Sequence, residues 1–172
     1  MEVGPGAGEF LCFMAEQEPR KKFLGIEVSW RAAVHCAWLA GERALNNVKI
    51  IFANFKVLYP LVPEEGWQAV YLHFPDPVYK RKNEKLRVLD QAFLDAAAKG
   101  LTGGGRLSVV SDREDFFFEM LELAEGDGRF EKAHGERFLN GYEPEVKSRF
   151  QRSWERKGIV PKCFVVVKKP VK

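Results

Sequence analysis

The residues best suited to chemistry lie in the run His73-Phe-Pro-Asp-Pro-Val-Tyr-Lys-Arg-Lys82, which follows an apolar stretch typical of a buried strand. The prolines on either side of Asp76 predict a stiff, extended corner that fixes its carboxylate. A fixed carboxylate can accept hydrogen bonds from a ligand, or offset a positive charge that develops beside it. The alternative is a turn acid with no chemical role.

A glycine-rich turn, Glu2-Val-Gly-Pro-Gly-Ala-Gly8, follows a short first strand and precedes a helix. Gly4, Gly6 and Gly8 permit a tight turn and the close approach of a ligand to the backbone. Their spacing is Gly-x-Gly-x-Gly, whereas dinucleotide sites use Gly-x-Gly-x-x-Gly. Glu2 could accept a hydrogen bond from an ammonium group, which S-adenosylmethionine carries. The turn therefore favours that cofactor over a dinucleotide or over glycines that serve packing alone.

Two further residues fit a nucleoside pocket. Glu27 ends the second predicted strand about 20 residues after the turn, where a carboxylate can accept from both ribose hydroxyls. Its alternative role is that of an ordinary acid at a strand end. Asn54 follows the third strand, and its amide could either hydrogen-bond the adenine edge or cap the helix that starts near Phe55.

Strands and helices alternate along the chain. Strands are predicted at Met1–Val3, Phe23–Val28, Val48–Phe52, Ala69–Phe74, Arg106–Val110 and Cys163–Val167. Helices are predicted at Glu9–Glu16, Trp30–Ala44, Glu84–Ala98, Glu114–Ala124 and roughly Pro144–Lys157. The alternation predicts an α/β fold with a doubly wound, mostly parallel sheet. In such folds ligands bind beyond the carboxyl ends of the strands, where the residues above lie.

Length and charge indicate one domain that carries two basic segments. A chain of 172 residues, 46% of them apolar, suffices for one domain over residues 1–172. The segments Tyr79–Arg87 and Lys147–Lys157 each carry five cations and one acid, although the whole chain has a net charge of only +3. Such concentrated charge suggests a polyanionic partner, and the alternative is a pair of solvated helix faces.

Several classes of protein are disfavoured. No stretch approaches the length of a membrane span, and no signal peptide is present, so we expect a soluble cytoplasmic protein. Cys12, Cys36 and Cys163 do not cluster with histidines at metal-ligand spacing, so no metal site is expected. Cys36, with its neighbour His35, is expected to pack in a helix. The first strand is short, so we expect upstream sequence, an N-terminal extension, to be missing from this chain.

The motif Phe74-Pro-Asp-Pro77 with its basic run resembles the signature of the bacterial tRNA (guanine-N7-)-methyltransferase family. Further similarities occur in the family's order: the Glu2 turn, Gly25-Ile-Glu-Val28, Gly103-Gly-Gly105, Ser111-Asp112 and Ser148-Arg-Phe-Gln151. The resemblance covers nearly the whole chain and implies a Rossmann-like fold, S-adenosylmethionine as cofactor and tRNA as partner. It implies methylation of guanine 46 at N7 in the variable loop.

The resemblance also implies roles for individual residues. Glu2, Glu27, Asn54 and Asp76 would line the cofactor site, and Asp76 would be the catalytic residue. The substrate would be contacted by Lys80, Asp112, Ser148, Arg149, Phe150 and Gln151. The family usually has aspartate at Asn54, tryptophan at Val78, threonine at Ser148 and glutamate at Gln151. An oligomeric state, monomer or homodimer, is left open.

Guanine N7 carries a lone pair and no proton, so its methylation requires positioning more than a general base. A carboxylate that accepts from guanine N1–H and from the exocyclic amine would fix the base, and Asp76 and Asp112 are the candidates. Asp112 also fits a capping box with Ser111 and Glu114. Aromatic residues such as Phe116, Phe117 and Trp154 are expected to pack rather than to stack on bases.

Two other functions compete with this hypothesis. A nicotinamide dehydrogenase would share the fold and the acid at Glu27, but the glycine spacing argues against it. An RNA-binding module that has lost catalysis through Asn54 and Gln151 would bind tRNA without methyl transfer.

Overall fold

The computed structural model describes residues 1–76, 87–144 and 146–170. Contacts divide the chain into two compact units. The first unit comprises Met1–Phe55 and Glu143–Ile159, and the second comprises Lys56–Tyr142 and Val160–Lys172. Since each unit draws on two separate stretches of sequence, the expectation of one domain over residues 1–172 stays a prediction.

The first unit contains three parallel strands and three helices. Strand β1 (Glu2–Val3) pairs with β2 (Phe23–Glu27), which pairs in turn with β3 (Val48–Phe52). The helices are α1 (Glu9–Gln17), α2 (Trp30–Glu42) and α6 (Arg149–Glu155). Leu11, Ile26 and Cys36 are among its buried apolar residues.

The second unit combines one parallel strand pair with antiparallel strands. Strand β4 (Trp67–His73) runs parallel to β5 (Leu101–Ser111), and β8 (Lys162–Lys168) runs antiparallel to β5. Short strands β6 (Phe130–Lys132) and β7 (Leu139–Asn140) pair antiparallel with β8. Its longer helices are α4 (Gln91–Gly100) and α5 (Glu114–Gly126). Where the chain leaves the first unit, α3 (Phe55–Leu58) continues into a 3₁₀ turn at Tyr59–Leu61.

These elements confirm the predicted α/β class, with parallel strands and helices alternating along the chain. The core of the second unit is built from large side chains such as Phe93, Phe117 and Phe164, which are almost completely buried. Burial of Phe116 and Phe117 confirms that these residues of α5 pack instead of lying open to a ligand.

Two helix starts differ from the prediction, and two short strands were not predicted. Helix α4 begins only at Gln91, because the Asp90 carboxylate caps it by accepting from the Phe93 N–H at 2.9 Å. Helix α6 begins at Arg149 and not near Pro144, because Ser148 caps it in the same way. Strands β6 and β7 were not predicted, since two or three residues carry no recognisable alternation.

Candidate cofactor and substrate site

The glycine turn between β1 and α1 adopts a backbone that only glycine accepts readily. Gly4, Gly6 and Gly8 have φ values of 73°, 58° and 84°. A Cβ atom at Gly4 or Gly6 would meet open space, which is room for a ligand. A Cβ at Gly8 would lie 2.3 Å from Cys36 Sγ, so this third glycine serves the packing of α1 on α2.

Glu27 holds the turn from the end of β2. One of its carboxylate oxygens accepts from the Gly6 N–H at 2.9 Å and the other from the Ser29 N–H at 2.8 Å. The residue is buried, with 6% of its surface exposed. A carboxylate offers about four lone-pair positions, so each oxygen retains capacity for one more donor, such as a ribose hydroxyl.

Glu2 lies at the other side of the turn, in β1, and is 4% exposed. Among the described residues, its buried oxygen Oε2 has no hydrogen-bond partner. Burial raises the pKa of this carboxyl to about 8. An orphaned, buried acceptor beside a glycine turn suits a ligand that brings a cationic donor.

The two cysteines beside the turn pack, as expected for Cys36. Cys12 in α1 and Cys36 in α2 are fully buried. The hydrogen bond from one thiol to the other, together with burial, raises the pKa of Cys36. The Cys36 thiol is therefore a poor nucleophile, because the thiolate is the reactive form.

Asn54 is exposed two residues after β3, at the same end of the strands as Glu27. The register pairs Glu27 with Phe52, which are the last residues of β2 and β3. Asn54 therefore lies just beyond the strand end that neighbours Glu27. The first unit therefore brings Glu2, the glycine turn and Glu27 together and places Asn54 after the next strand.

Asp76 follows β4 in the second unit and is exposed. The corner before it is not simply extended, which corrects the expectation from its prolines. Phe74 has a φ of 54°, which is a strained value for a residue with a side chain. Pro75 adds to the strain, because a proline restricts the backbone of the residue before it. Its N–H donates to Val110 O at 2.7 Å, which continues the β4–β5 pairing and compensates the strain.

Sequence analysis assigned no role to His73, the last residue of β4 before this corner. Its Nε2 lies 3.1 Å from Ser108 Oγ, and its ring contacts Tyr142 edge-on at 5.0 Å between centroids. Burial lowers the pKa of His73 to about 3, so the ring is neutral at physiological pH. The ring cluster around His73 could have been anticipated in part, because alternation along a strand predicts that His73 and Tyr71 point to the same face of β4.

Asp112 follows β5, the strand paired with β4. Burial raises its pKa above the usual range. The expected capping box is wrong: Arg113 is the N-cap of α5 without a side-chain bond, and Ser111 Oγ accepts from the Arg113 N–H instead. Asp112 and Asp76 thus both follow the carboxyl ends of paired strands.

The Ser148–Gln151 segment forms the start of α6. Arg149 is exposed, and its Nε lies 3.2 Å from Glu9 Oε1, in the first turn of α1 after the glycine turn. Phe150 is 47% exposed. Gln151 is 2% exposed, and its amide donates to Glu155 Oε1 at 2.9 Å. Lys80, the remaining predicted site residue, lies outside the described residues.

Two other features are absent from residues 1–76, 87–144 and 146–170. No helix in these ranges is long and apolar enough to cross a membrane. Nor do they contain a group of three or more histidine, cysteine, aspartate or glutamate side chains that could hold a metal ion.

The fold has a counterpart among solved structures. The chain resembles the solved structure of a SAM-dependent methyltransferase from Aquifex aeolicus, with a TM-score of 0.63 at 13% identity over 97% of this chain and 80% of that one. The architecture is therefore the Rossmann-like one of such methyltransferases.

Sequence comparison identifies the family within that class. Residues 1–162 match the family model described as "Putative methyltransferase". A tRNA (guanine-N(7)-)-methyltransferase from Rubrobacter xylanophilus is 43% identical over 92% of this chain and 71% of its own length. Another from Chloroherpeton thalassium is 32% identical over 98% of this chain and 75% of its own length. The chain belongs to the tRNA (guanine-N7-)-methyltransferase family, a family of methyltransferase enzymes, as the resemblance implied.

Proposed function

We propose that this chain transfers the methyl group of S-adenosylmethionine to N7 of guanine 46 in the variable loop of tRNA. The observation that carries the proposal is the buried oxygen of Glu2, which has no partner within the described part of the chain and lies beside a glycine turn that Glu27 holds. The names of the relatives support guanine N7 in tRNA as the target.

The residues of the first unit fit S-adenosylmethionine. Glu2 would accept a hydrogen bond from the ammonium group of the cofactor. This bond would give the buried oxygen of Glu2 a partner. Glu27 would accept from the ribose hydroxyls with the lone pairs that Gly6 and Ser29 leave free. Gly4 and Gly6 leave space for the ligand, and Asn54 would hydrogen-bond the adenine edge. When bound, the cofactor supplies an electrophilic methyl group on a sulfonium.

The protein's task in the transfer is to hold guanine in place. Guanine N7 has a lone pair that would accept the methyl group supplied by the bound cofactor, and sulfur would retain the electrons of the carbon–sulfur bond. No proton moves, so no general base is needed. Asp76 would accept from guanine N1–H and the exocyclic amine, and its charge would offset the positive charge that develops on the base. Asp112 is the second candidate for this role.

The remaining contacts would come from Lys80 and from the exposed Arg149 and Phe150 of the segment Ser148–Gln151, in which the buried Gln151 would act by holding the helix start. Arg149 would face the RNA near the glycine turn, where its ion pair with Glu9 places it. A protein that modifies tRNA in this way would act in the cytoplasm as one domain over residues 1–172.

Labelled methyl transfer tests the proposal directly. Unmodified tRNA is incubated with the chain and methyl-labelled S-adenosylmethionine, and the product is mapped by chemical cleavage at 7-methylguanosine. We expect a single labelled guanosine in the variable loop. Label at another position contradicts the proposed target, whereas cofactor and tRNA binding without label indicates an RNA-binding module that has lost catalysis.

Thermal protection by the cofactor distinguishes the dehydrogenase alternative. A ligand that binds only the folded state raises the melting temperature by mass action. We expect S-adenosylhomocysteine to stabilise the chain and NAD to leave it unchanged. The reverse result would contradict the proposed cofactor.

A further inference from the structure

Helix α6 exposes a row of cations on one side. Arg149, Arg152 and Arg156 follow one another at intervals of three and four residues, which places them on one face of a helix. All three are exposed, and together with Glu155 they line one surface cavity. We call Arg149, Arg152 and Arg156 the arginine face.

Two guanidinium groups of this face, those of Arg152 and Arg156, are held by hydrogen bonds and not by carboxylates of the described residues. Arg152 Nη1 donates to Lys147 O at 2.5 Å, and Arg156 Nε donates to Arg152 O at 3.3 Å. Neither guanidinium has an ion pair with a carboxylate of the described residues, where Lys147 and Arg149 carry the ion pairs of this region. Main-chain carbonyls therefore fix the two groups and leave their positive charge available.

Of the eight other arginines among the described residues, five are ion-paired, and Arg20, Arg31 and Arg106 have no ion pair with a described carboxylate. Arg43 pairs with Glu16 at 3.2 Å, and Arg137 pairs with Glu125 at 2.8 Å. Arg129 lies within 2.6 Å of both Asp95 and Asp127. Ion pairing is thus the commoner state of the other arginines, and Arg152 and Arg156 of the arginine face depart from it.

The one acid in the cavity does not cancel the charge. Glu155 Oε2 lies 3.0 Å from Lys147 Nζ, and its other oxygen accepts from the Gln151 amide at 2.9 Å. Both carboxylate oxygens of Glu155 therefore already have partners, Lys147 and Gln151. The cavity presents a net positive charge.

The face starts beside the glycine turn. The Arg149 Nε contact with Glu9 Oε1 ties the first residue of α6 to the first turn of α1, at 3.2 Å. With a rise of about 1.5 Å per residue, the face extends about 10 Å along the helix from that point, room for more than one phosphate group. A polyanion on this face would therefore run away from the glycine turn.

We propose that the arginine face binds the phosphodiester backbone of the tRNA next to the guanosine that is methylated, an inference that rests on the proposed function. Planar guanidinium groups match phosphate oxygens in bidentate geometry, and their charge complements a polyanion. Arg152 and Arg156 are the new assignments, beyond the Ser148–Gln151 segment. Contacts of this type position the substrate without reading its sequence.

The test is RNA binding without turnover. Fluorescence anisotropy measures the Kd of unmodified tRNA, without cofactor, between about 50 and 200 mM salt. We expect Arg152→Gln/Arg156→Gln to weaken binding on the order of tenfold or more and to reduce the salt slope by about 1.4 to 1.8, because each phosphate contact contributes about 0.7 to 0.9. The matched control is Arg43→Gln/Arg137→Gln, which removes the same charge from ion-paired, exposed arginines. Equal effects of the two double variants, or no effect of either, would overturn the proposal.

Circular dichroism and the melting temperature establish that both variants fold. The transfer assay on the unaltered chain separates the two proposals. Labelled tRNA together with an unchanged salt slope in Arg152→Gln/Arg156→Gln overturns the arginine face and leaves the function standing. Unlabelled tRNA together with a reduced slope overturns the function and supports the arginine face as an RNA-binding surface.

Discussion

Glu2 and Glu27 are both buried acids at the glycine turn, yet their hydrogen bonding differs. Glu27 is satisfied by two backbone N–H groups. Glu2 retains a buried oxygen without a partner among the described residues, and desolvation favours its neutral form. The first acid stabilises the turn in the absence of ligand, and the second becomes satisfied only when a donor arrives.

Cofactor binding should therefore depend on pH through Glu2. A cationic donor favours the ionised carboxylate, so binding releases a proton below the pKa of about 8. We expect the affinity for S-adenosylmethionine to rise by up to about tenfold per pH unit as pH 8 is approached from below. Isothermal titration calorimetry in buffers of different ionisation enthalpy measures the released proton. Glu2→Gln should bind more weakly and without this release, and the same pH dependence in that variant would contradict the assignment.

Substitution of Asp76 tests its role in catalysis without a large effect on stability, because the residue is exposed. We expect Asp76→Asn to lower single-turnover methyl transfer by roughly 10² to 10³, the cost of removing one group that stabilises a developing charge. The melting temperature should not change. The matched control is Glu64→Gln, another exposed acid of the second unit, for which transfer should be unaffected. Retained turnover in Asp76→Asn would remove Asp76 from the mechanism.

At the scale of elements, the crossing of α1 and α2 depends on Gly8. Its φ of 84° disfavours any side chain, and a Cβ would overlap Cys36 Sγ at 2.3 Å. We expect Gly8→Ala to destabilise the chain by about 2 to 5 kcal/mol, from about 1 to 2 for the backbone and 1 to 3 for overpacking. Urea denaturation measures the free energy of unfolding.

A double variant separates these two contributions. In Gly8→Ala/Cys36→Ala the overlap with sulfur is gone, but the strained φ remains. The cost of Gly8→Ala should therefore be smaller in the Cys36→Ala background, by the overpacking share. An unchanged cost would show that the backbone alone makes this position a glycine.

At the scale of the whole molecule, Glu2 and His73 shape the pH dependence of stability with opposite signs. The pKa of Glu2 rises from 4.5 to about 8 on folding, so stability falls as pH rises through this range. The pKa of His73 falls from 6.5 to about 3, so stability falls as pH decreases through that range. Between pH 4.5 and 6.5 the two effects offset each other, which predicts a broad optimum there.

Urea denaturation across pH measures this profile. We expect His73→Gln to flatten the acid side between pH 4.5 and 3, and Glu2→Gln to flatten the alkaline side between pH 6.5 and 8. Each slope corresponds to about 1.4 kcal/mol per pH unit for one proton. Identical profiles in the variants and the unaltered chain would contradict the burial-driven shifts of these two groups.

Much of this architecture could be predicted from periodicity and strand-end residues. Short apolar runs such as the one at Phe23–Glu27 could be recognised as strands, and Glu27 and Asp76 lie at or just beyond strand ends as expected. The left-handed Phe74 could not be predicted, because an ordinary residue adopts that backbone only when tertiary hydrogen bonds compensate. The distinction between Gly4 or Gly6 and Gly8 likewise depends on what stands opposite each one.

The order in which the chain is synthesised bears on how the first unit forms. Met1–Phe55 emerges from the ribosome well before Glu143–Ile159, the stretch that completes that unit. The 87 residues of Lys56–Tyr142 come between them. The strands and helices of Met1–Phe55 are therefore synthesised before the stretch that completes their unit. A unit that stays incomplete during synthesis exposes apolar surface for longer than one built from a single continuous stretch, and such exposure favours aggregation.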